Sequence, residues 1–305
     1  MYLKHFGLKD WPFTLTPNTS FFCNLPVYQE ALNTVLFSVR SGEGFVKVIG
    51  EVGSGKTLLC RKLLDQLADE FVTAYIPNPN LSADELRRAL AKELGVVVET
   101  ASDDQLLTRI SEKLIAIRHE GKRTVLVIDE AQALPDDTLE ALRLLSNLET
   151  ESEKLLQIVL FAQPELDAKL EQYRFRPLQQ RIGFGYRLQA LHPAEVAAYL
   201  QHRLEMAGYA EGRLLTRGAQ RLVCKASQGV PRVINIVCHK ALLVAYGRGE
   251  ARVKTHAIKS AIADSADVLQ TLKVRAPSAF NWKMMVVGLV VLGLAVAAAV
   301  YINST

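Results

Sequence analysis

The chain has 305 residues, 49% of them hydrophobic and 22% charged, a balance too apolar for a disordered protein and sufficient for one large or two smaller packed domains. The formal net charge is +4, but Lys273, Arg275 and Lys283 supply three of those charges in a stretch without an acid. The rest of the chain is nearly neutral, which argues against a broad polybasic nucleic-acid surface. Cys23, Cys60, Cys224 and Cys238 are too widely spaced for a C-x-x-C metal pair or a disulfide framework and read as reduced thiols.

In chain order, the N-terminus MYLKHFGLKDWPF has charges that interrupt any apolar run, so no cleavable signal is expected. Trp11-Pro12-Phe13 and Thr16-Pro17 form a rigid stretch that reads as packing more than as a base-stacking surface. Strands are predicted over 45–49, 71–76, 124–128 and 155–161, with a weaker one over 183–188. Their near-continuous apolar character suits strands buried on both faces. Helices are predicted over 56–70, 84–94, 105–120 and 138–149; the second opens on the capping-box spacing Ser82-Ala83-Asp84-Glu85 and stops at Gly95. This alternation implies a parallel α/β sheet. After His192-Pro193 the pattern changes to helices over 194–208, 216–227, 231–246 and 256–269, with no convincing strand. The expected organisation is an α/β core over 1–190, a helical domain over 191–268 and a basic linker over 269–283, followed by an apolar segment.

That segment, 284–302, reads MMVVGLVVLGLAVAAAVYI, without charge or proline. As a helix it is about 28 Å long, close to the ~30 Å of a bilayer's hydrocarbon core. It is apolar on every face, unlike an amphipathic core helix, and so reads as a transmembrane helix. Lys273, Arg275, Trp282 and Lys283 precede it and only Asn303-Ser304-Thr305 follow, so the positive-inside rule keeps the preceding residues in the cytoplasm. Gly293 and Ala297 form a small-xxx-small pair of the kind that lets two such helices approach, although both residues are common in membrane spans.

Directly after the first predicted strand stands Gly50-Glu51-Val52-Gly53-Ser54-Gly55-Lys56-Thr57, the pattern G-x-x-x-x-G-K-[ST]. Its glycines permit a tight turn whose backbone N–H groups cradle phosphate oxygens at a helix N-terminus. Lys56 is expected to reach the β- and γ-phosphates and Thr57 to ligate Mg²⁺. Further on, Val125-Leu126-Val127-Ile128 runs into Asp129-Glu130. A carboxylate pair at the end of a buried strand sits where open α/β sheets bind ligands. Asp129 is expected to hold Mg²⁺, and Glu130 to orient or deprotonate the attacking water.

The set GEVGSGKT, VLVIDEAQALP, LQIVLFAQPEL and QGVPRVINIVCHKAL, together with MYLKHFGLKDWPFTLTPNTSFF and ALRLLSNLETE, resembles AAA+ ATPases of the general secretion pathway A (ExeA) type. The resemblance is stronger still to the pilus-biogenesis branch that serves the mannose-sensitive haemagglutinin type IV pilus. It covers residues 1 to about 268 and implies a P-loop three-layer core with a helical lid. It assigns Gln163, at the end of the fourth strand, to the sensor 1 position, as a family variant where many AAA+ proteins have Asn or Thr, and Arg232 in Gly229-Val230-Pro231-Arg232 to sensor 2. Arg181, with Arg174 and Arg176 nearby, falls where such proteins present an arginine finger to a neighbouring subunit, which makes the active unit a homo-oligomer, a ring or dimer.

The expected function is therefore a membrane-anchored ATPase using ATP and Mg²⁺ to assist assembly of a type IV pilus or related type II secretion machinery. It would be a single-pass protein of the bacterial inner membrane with its ATPase domain in the cytoplasm, and its partners would be inner-membrane assembly proteins and membrane lipid. Two alternatives stay open: an ATP-binding switch or scaffold with slow hydrolysis, and a DNA-handling ATPase. The near-neutral body, the absence of an evident winged-helix module and the apolar segment argue against the DNA reading.

Overall fold

The computed structural model describes residues 2–98, 103–150 and 153–267. Five strands, β1 (Phe45–Gly50), β2 (Phe71–Ile76), β3 (Arg123–Ile128), β4 (Leu156–Ala162) and β5 (Ile182–Leu188), form one sheet in the order β2-β3-β4-β1-β5. Every neighbouring pair is parallel. The most apolar strands take the centre: every residue of β4 is buried, as are the last five of β3. The weakest predicted strand, β5, lies at the edge, where its Gly183, Gly185 and Arg187 face outward.

The helices preceding and interleaving the strands are α1 (Tyr2–His5), α2 (Pro26–Arg40), α3 (Lys56–Leu67), α4 (Ala83–Glu93), α5 (Asp103–His119), α6 (Asp136–Leu145), α7 (Glu165–Leu170) and α8 (Arg176–Gln179). Leu86, Leu90, Leu106, Ile110, Leu139 and Leu142 of α4 to α6 pack with Leu126, Ile128, Ile158 and Leu160 in one core. By contrast, α2 packs on β1, β5 and α3, and α3 on β2 and β4. The sheet is thus the middle of three layers. The predicted capping box at Ser82 forms in both directions with Glu85. The predicted 138–149 helix ends instead at Leu145, because the Ser146 N–H caps the Leu142 carbonyl and the Ser146 hydroxyl donates to Arg143.

The fifteen-residue α2 has no counterpart among the predicted helices. Its apolar positions Val27, Tyr28, Ala31, Leu32, Val35, Leu36 and Val39 recur at helical spacing behind Pro26 at the first turn.

Beyond β5 come α9 (Pro193–Met206), α10 (Arg217–Ser227), α11 (Pro231–Gly247) and α12 (Thr255–Ala263), a helical lid centred on α11, which contacts α10, α12 and α1. Gly229 ties the turn between α10 and α11 to the segment that leads from β5 into α9. Its carbonyl accepts from the Leu191 N–H at 3.0 Å, its φ is +78°, and a Cβ there would lie 2.1 Å from the Leu191 carbonyl oxygen. Only glycine fits.

Sheet domain and lid belong to one compact unit, Met1–Leu269. The predicted linker 269–283 and apolar segment 284–302 lie outside the described residues. Among the described residues no helix is long and apolar enough to cross a membrane.

Candidate functional site

All strands being parallel, their carboxyl ends share one edge, and the motif residues converge there. The loop that leaves β1 at Gly50 turns through Gly53 (φ +78°) and Gly55 (φ +97°) before α3 starts at Lys56. At Gly55 the space where a Cβ would go is occupied by the Tyr28 ring, 2.9 Å from its hydroxyl. Tyr28 is buried on α2 and donates its O–H to the Ser54 carbonyl at 2.9 Å, fixing the loop from behind.

Lys56 is 4% exposed. Its Nζ donates to the carbonyls of Gly50 (2.7 Å) and Glu51 (3.1 Å), which leaves one of its three protons for a further acceptor. Burial pulls the Lys56 ammonium below its ordinary pKa, against the opposing charges of Glu130 and Asp129. The Ser54 hydroxyl is buried with no hydrogen-bond partner among the described residues. An orphaned buried hydroxyl inside a loop of backbone N–H groups is a feature that a phosphate oxygen would satisfy.

Asp129, 2% exposed, follows β3 at the same edge. Burial raises its pKa, opposed by the hydrogen bond from the Thr57 hydroxyl and by the Glu130 N–H, which donates to Oδ1 at 2.9 Å. A hydroxyl and a buried carboxylate are the hard oxygen donors that Mg²⁺ prefers. Glu130 sits in the left-handed region at φ 53°. Burial pushes its pKa up, but the amides of Gln163 and Gln132 and the charge of Lys56 outweigh it and hold the carboxyl below the usual range. Gln163, at the exit of β4, donates its Nε2 to Glu130 Oε2 at 2.9 Å. β4 lies between β3 and β1, and this register is what brings Gln163 to Glu130.

The lid closes the other side. The Arg232 N–H donates to the Gly53 carbonyl at 3.2 Å, and a Cβ on Gly53 would lie 2.5 Å from Arg232 Cβ. The guanidinium side chain is exposed at the mouth of a cleft of about 210 Å³ whose walls include Gly53, Lys56, Thr57, Glu130, Gln163 and Arg232.

A third wall comes from residues 14–23. It is clamped to the lid by Asn235, whose Nδ2 donates to the Thr14 carbonyl at 3.0 Å, and by Arg203, which donates to the Pro12 carbonyl and stacks over Phe21 at 4.7 Å. Thr16, Pro17, Phe21 and Phe22 reach the cleft. Trp11 instead packs edge-on against Tyr2 at 4.8 Å, and Phe13 is 2% exposed in the core.

Arg181 is elsewhere. It precedes β5, whose first residue pairs with Phe45 at the start of β1, while Gly50 pairs with Leu188 at the far end. Some six strand residues, about 20 Å, separate it from the loop of its own chain, and its Nη1 donates to the Ser146 hydroxyl at 2.9 Å. Arg174 and Arg176 are exposed nearby, the former paired with Asp136. Tyr28, Gln132, Arg203 and Asn235 were not among the sequence candidates. Gln132 was within reach, two residues beyond Glu130 in an otherwise apolar turn; the others meet the loop only through tertiary contacts.

Residues 39–170 match the family model described as the AAA domain. The chain carries an AAA domain. The chain is similar to general secretion pathway protein A of Aeromonas hydrophila, at 41% identity over 254 residues, 83% of this chain and 46% of that protein. The chain thus spans about half the length of that relative. Solved structures with the same fold include Cdc6p from Pyrobaculum aerophilum (17% identity, TM-score 0.64, 82% of this chain and 71% of that one). The Drosophila ORC bound to DNA is similar at 19% identity and TM-score 0.62, over 85% of this chain and 65% of that one. The parallel sheet with its P-loop and helical lid is the AAA fold of P-loop NTPases.

Proposed function

We propose that the chain is a Mg²⁺-dependent ATPase, anchored in the bacterial inner membrane through residues 284–302, that assists assembly of a type II secretion or type IV pilus machine. The observation that carries the catalytic part is the convergence of Lys56, Thr57, Glu130 and Gln163 on one cleft, with the buried Asp129 carboxylate directly beside Glu130 at the same sheet edge. The secretion part rests on the likeness to secretion pathway protein A, and the pilus part on the sequence resemblance alone.

In this reading the N–H groups of residues 50–57 and the Lys56 ammonium hold the β- and γ-phosphates, and Thr57 and Asp129 hold Mg²⁺, which neutralises charge on the phosphate oxygens. Glu130 accepts the proton of the water that attacks the γ-phosphorus, Gln163 orients that water or the γ-phosphate, and the Arg232 guanidinium reaches the same phosphate from the lid. Arg181 serves the site of an adjacent copy. The distance between Arg181 and its own loop supports that division, and the working unit is then a homo-oligomer whose lid motion passes to inner-membrane assembly proteins.

Steady-state phosphate release tests the reading: turnover requires Mg²⁺ and is lost in Lys56→Ala. Arg181→Ala loses turnover yet keeps nucleotide affinity, and regains activity when mixed with Lys56→Ala subunits. Without that recovery the trans assignment fails. A slow-hydrolysis switch is the second reading, favoured by the two amides that already occupy Glu130. It replaces the first if ATP binds but no assembly state turns it over.

A further inference from the structure

Gln132 lies on the short turn Ala131–Ala133 that follows Glu130. Its two amide ends point at different strands' exits. Nε2 donates to Glu130 Oε2 at 2.5 Å, and Oε1 accepts from the Gln163 backbone N–H at 2.9 Å. The orientation of this amide follows from its partners: a backbone N–H can only donate, so Oε1 faces Gln163, and an ionised carboxylate can only accept, so Nε2 faces Glu130. The Gln163 side chain returns to the same Oε2 at 2.9 Å, so Glu130, Gln132 and Gln163 form a closed ring of three hydrogen bonds. Oε2 of Glu130 is engaged twice. Its Oε1 accepts no hydrogen bond among the described residues, which leaves that oxygen to face a water.

A solvated loop amide would have no reason to bridge two strands. The contact also spans positions that the chain separates by thirty-one residues, so it holds the exit of β3 against the exit of β4 where Glu130 has three side-chain torsions to restrain. Displacing a reacting group by about 1 Å costs up to roughly 100-fold in rate.

We propose that Gln132 is a positioning residue that locks the Glu130 carboxylate and Gln163 into one unit, so that a γ-phosphate engaging Gln163 moves Glu130 with it. The proposal rests on the ATPase reading above and adds a residue to it that acts only through Glu130.

Gln132→Met keeps side-chain length and removes both hydrogen bonds; Gln132→Glu keeps the acceptor facing Gln163 and removes the donor. Both are measured as the full chain in detergent for kcat, KM for MgATP and affinity for a non-hydrolysable ATP analogue. In each, kcat falls about 10- to 100-fold while KM and analogue affinity stay within about threefold, and neither change lowers the residual turnover of Glu130→Gln any further. If Gln132→Met does not fold, Gln132→Glu carries the test alone. A kcat within twofold of wild type in either folded variant overturns the proposal. So does a parallel loss of analogue affinity, or an additive loss on top of Glu130→Gln, since a merely structural amide would produce both. Wild-type protein without turnover removes the ATPase reading and the positioning role together; turnover indifferent to Gln132 removes the positioning role alone.

Discussion

The two edges of the sheet treat their charged side chains in opposite ways. At the amino edge charges pair with each other in water: Arg40 with Glu70 at 2.5 Å, Arg118 with Glu153 at 2.5 Å, Lys154 with Glu149. The partners' hydrogen bonds lower the carboxyl pKa values of Glu70 and Glu153 and raise those of Arg40 and Arg118. At the carboxyl edge Lys56, Asp129 and Glu130 form no salt bridge among the described residues. Backbone carbonyls, a hydroxyl and two amides hold them instead, and burial drives Lys56 down and Asp129 up in pKa, each toward its neutral form. Charges kept buried without a direct ion pair are costly to a protein that only has to fold. Their presence on one edge and not the other separates a site from a surface.

This contrast can be broken or sharpened by substitution. Glu130→Gln preserves the hydrogen-bonding shape but removes the base, so turnover falls by about 10² to 10⁴ while ATP affinity is kept; normal phosphate release from this variant would take Glu130 out of the chemistry. Lys56→Ala is expected to weaken ATP binding by about 100-fold or more, read by calorimetry, because a charge-assisted contact in a dry cleft is lost.

Glycines give a matched pair. Gly53→Ala at the carboxyl edge forces a Cβ to 2.5 Å from Arg232 at φ +78°, and thermal unfolding should show a loss of about 2–4 kcal/mol. Gly121→Ala at the amino edge, φ +82° with open space around it, should lose only about 1 kcal/mol. Arg118→Ala is expected to change neither stability nor turnover measurably, since its partner is exposed; a large effect there would erase the distinction between the edges.

What the amino-acid order makes legible follows the range of the interactions. The five strands appear within a residue or so of where apolar runs place them, because a strand buried on both faces leaves a continuous local signature. The phosphate loop and the Asp129-Glu130 pair are contiguous, and the register of a parallel sheet carries them to one edge. Helix α2 shows ordinary periodicity yet lies ahead of the first strand, outside the alternation that organised the prediction. The third wall has no such signature: Arg203 and Asn235 meet residues 12–14 across roughly two hundred positions, and no local pattern marks such a clamp. Phe21 and Phe22 reach the cleft, whereas the more conspicuous Trp11 does not, because which aromatic turns inward depends on how the lid seats the segment.

One backbone detail has an evolutionary consequence. Glu130 occupies a conformation that costs a side chain of its kind on the order of 1 kcal/mol and that glycine would adopt freely. A population of variants selected only for heat resistance should therefore drift toward glycine at this codon, gaining melting temperature and, on the proposed function, losing turnover. Retaining glutamate there under such pressure would mark a lineage in which fuel consumption, rather than nucleotide occupancy, is what the cell rewards.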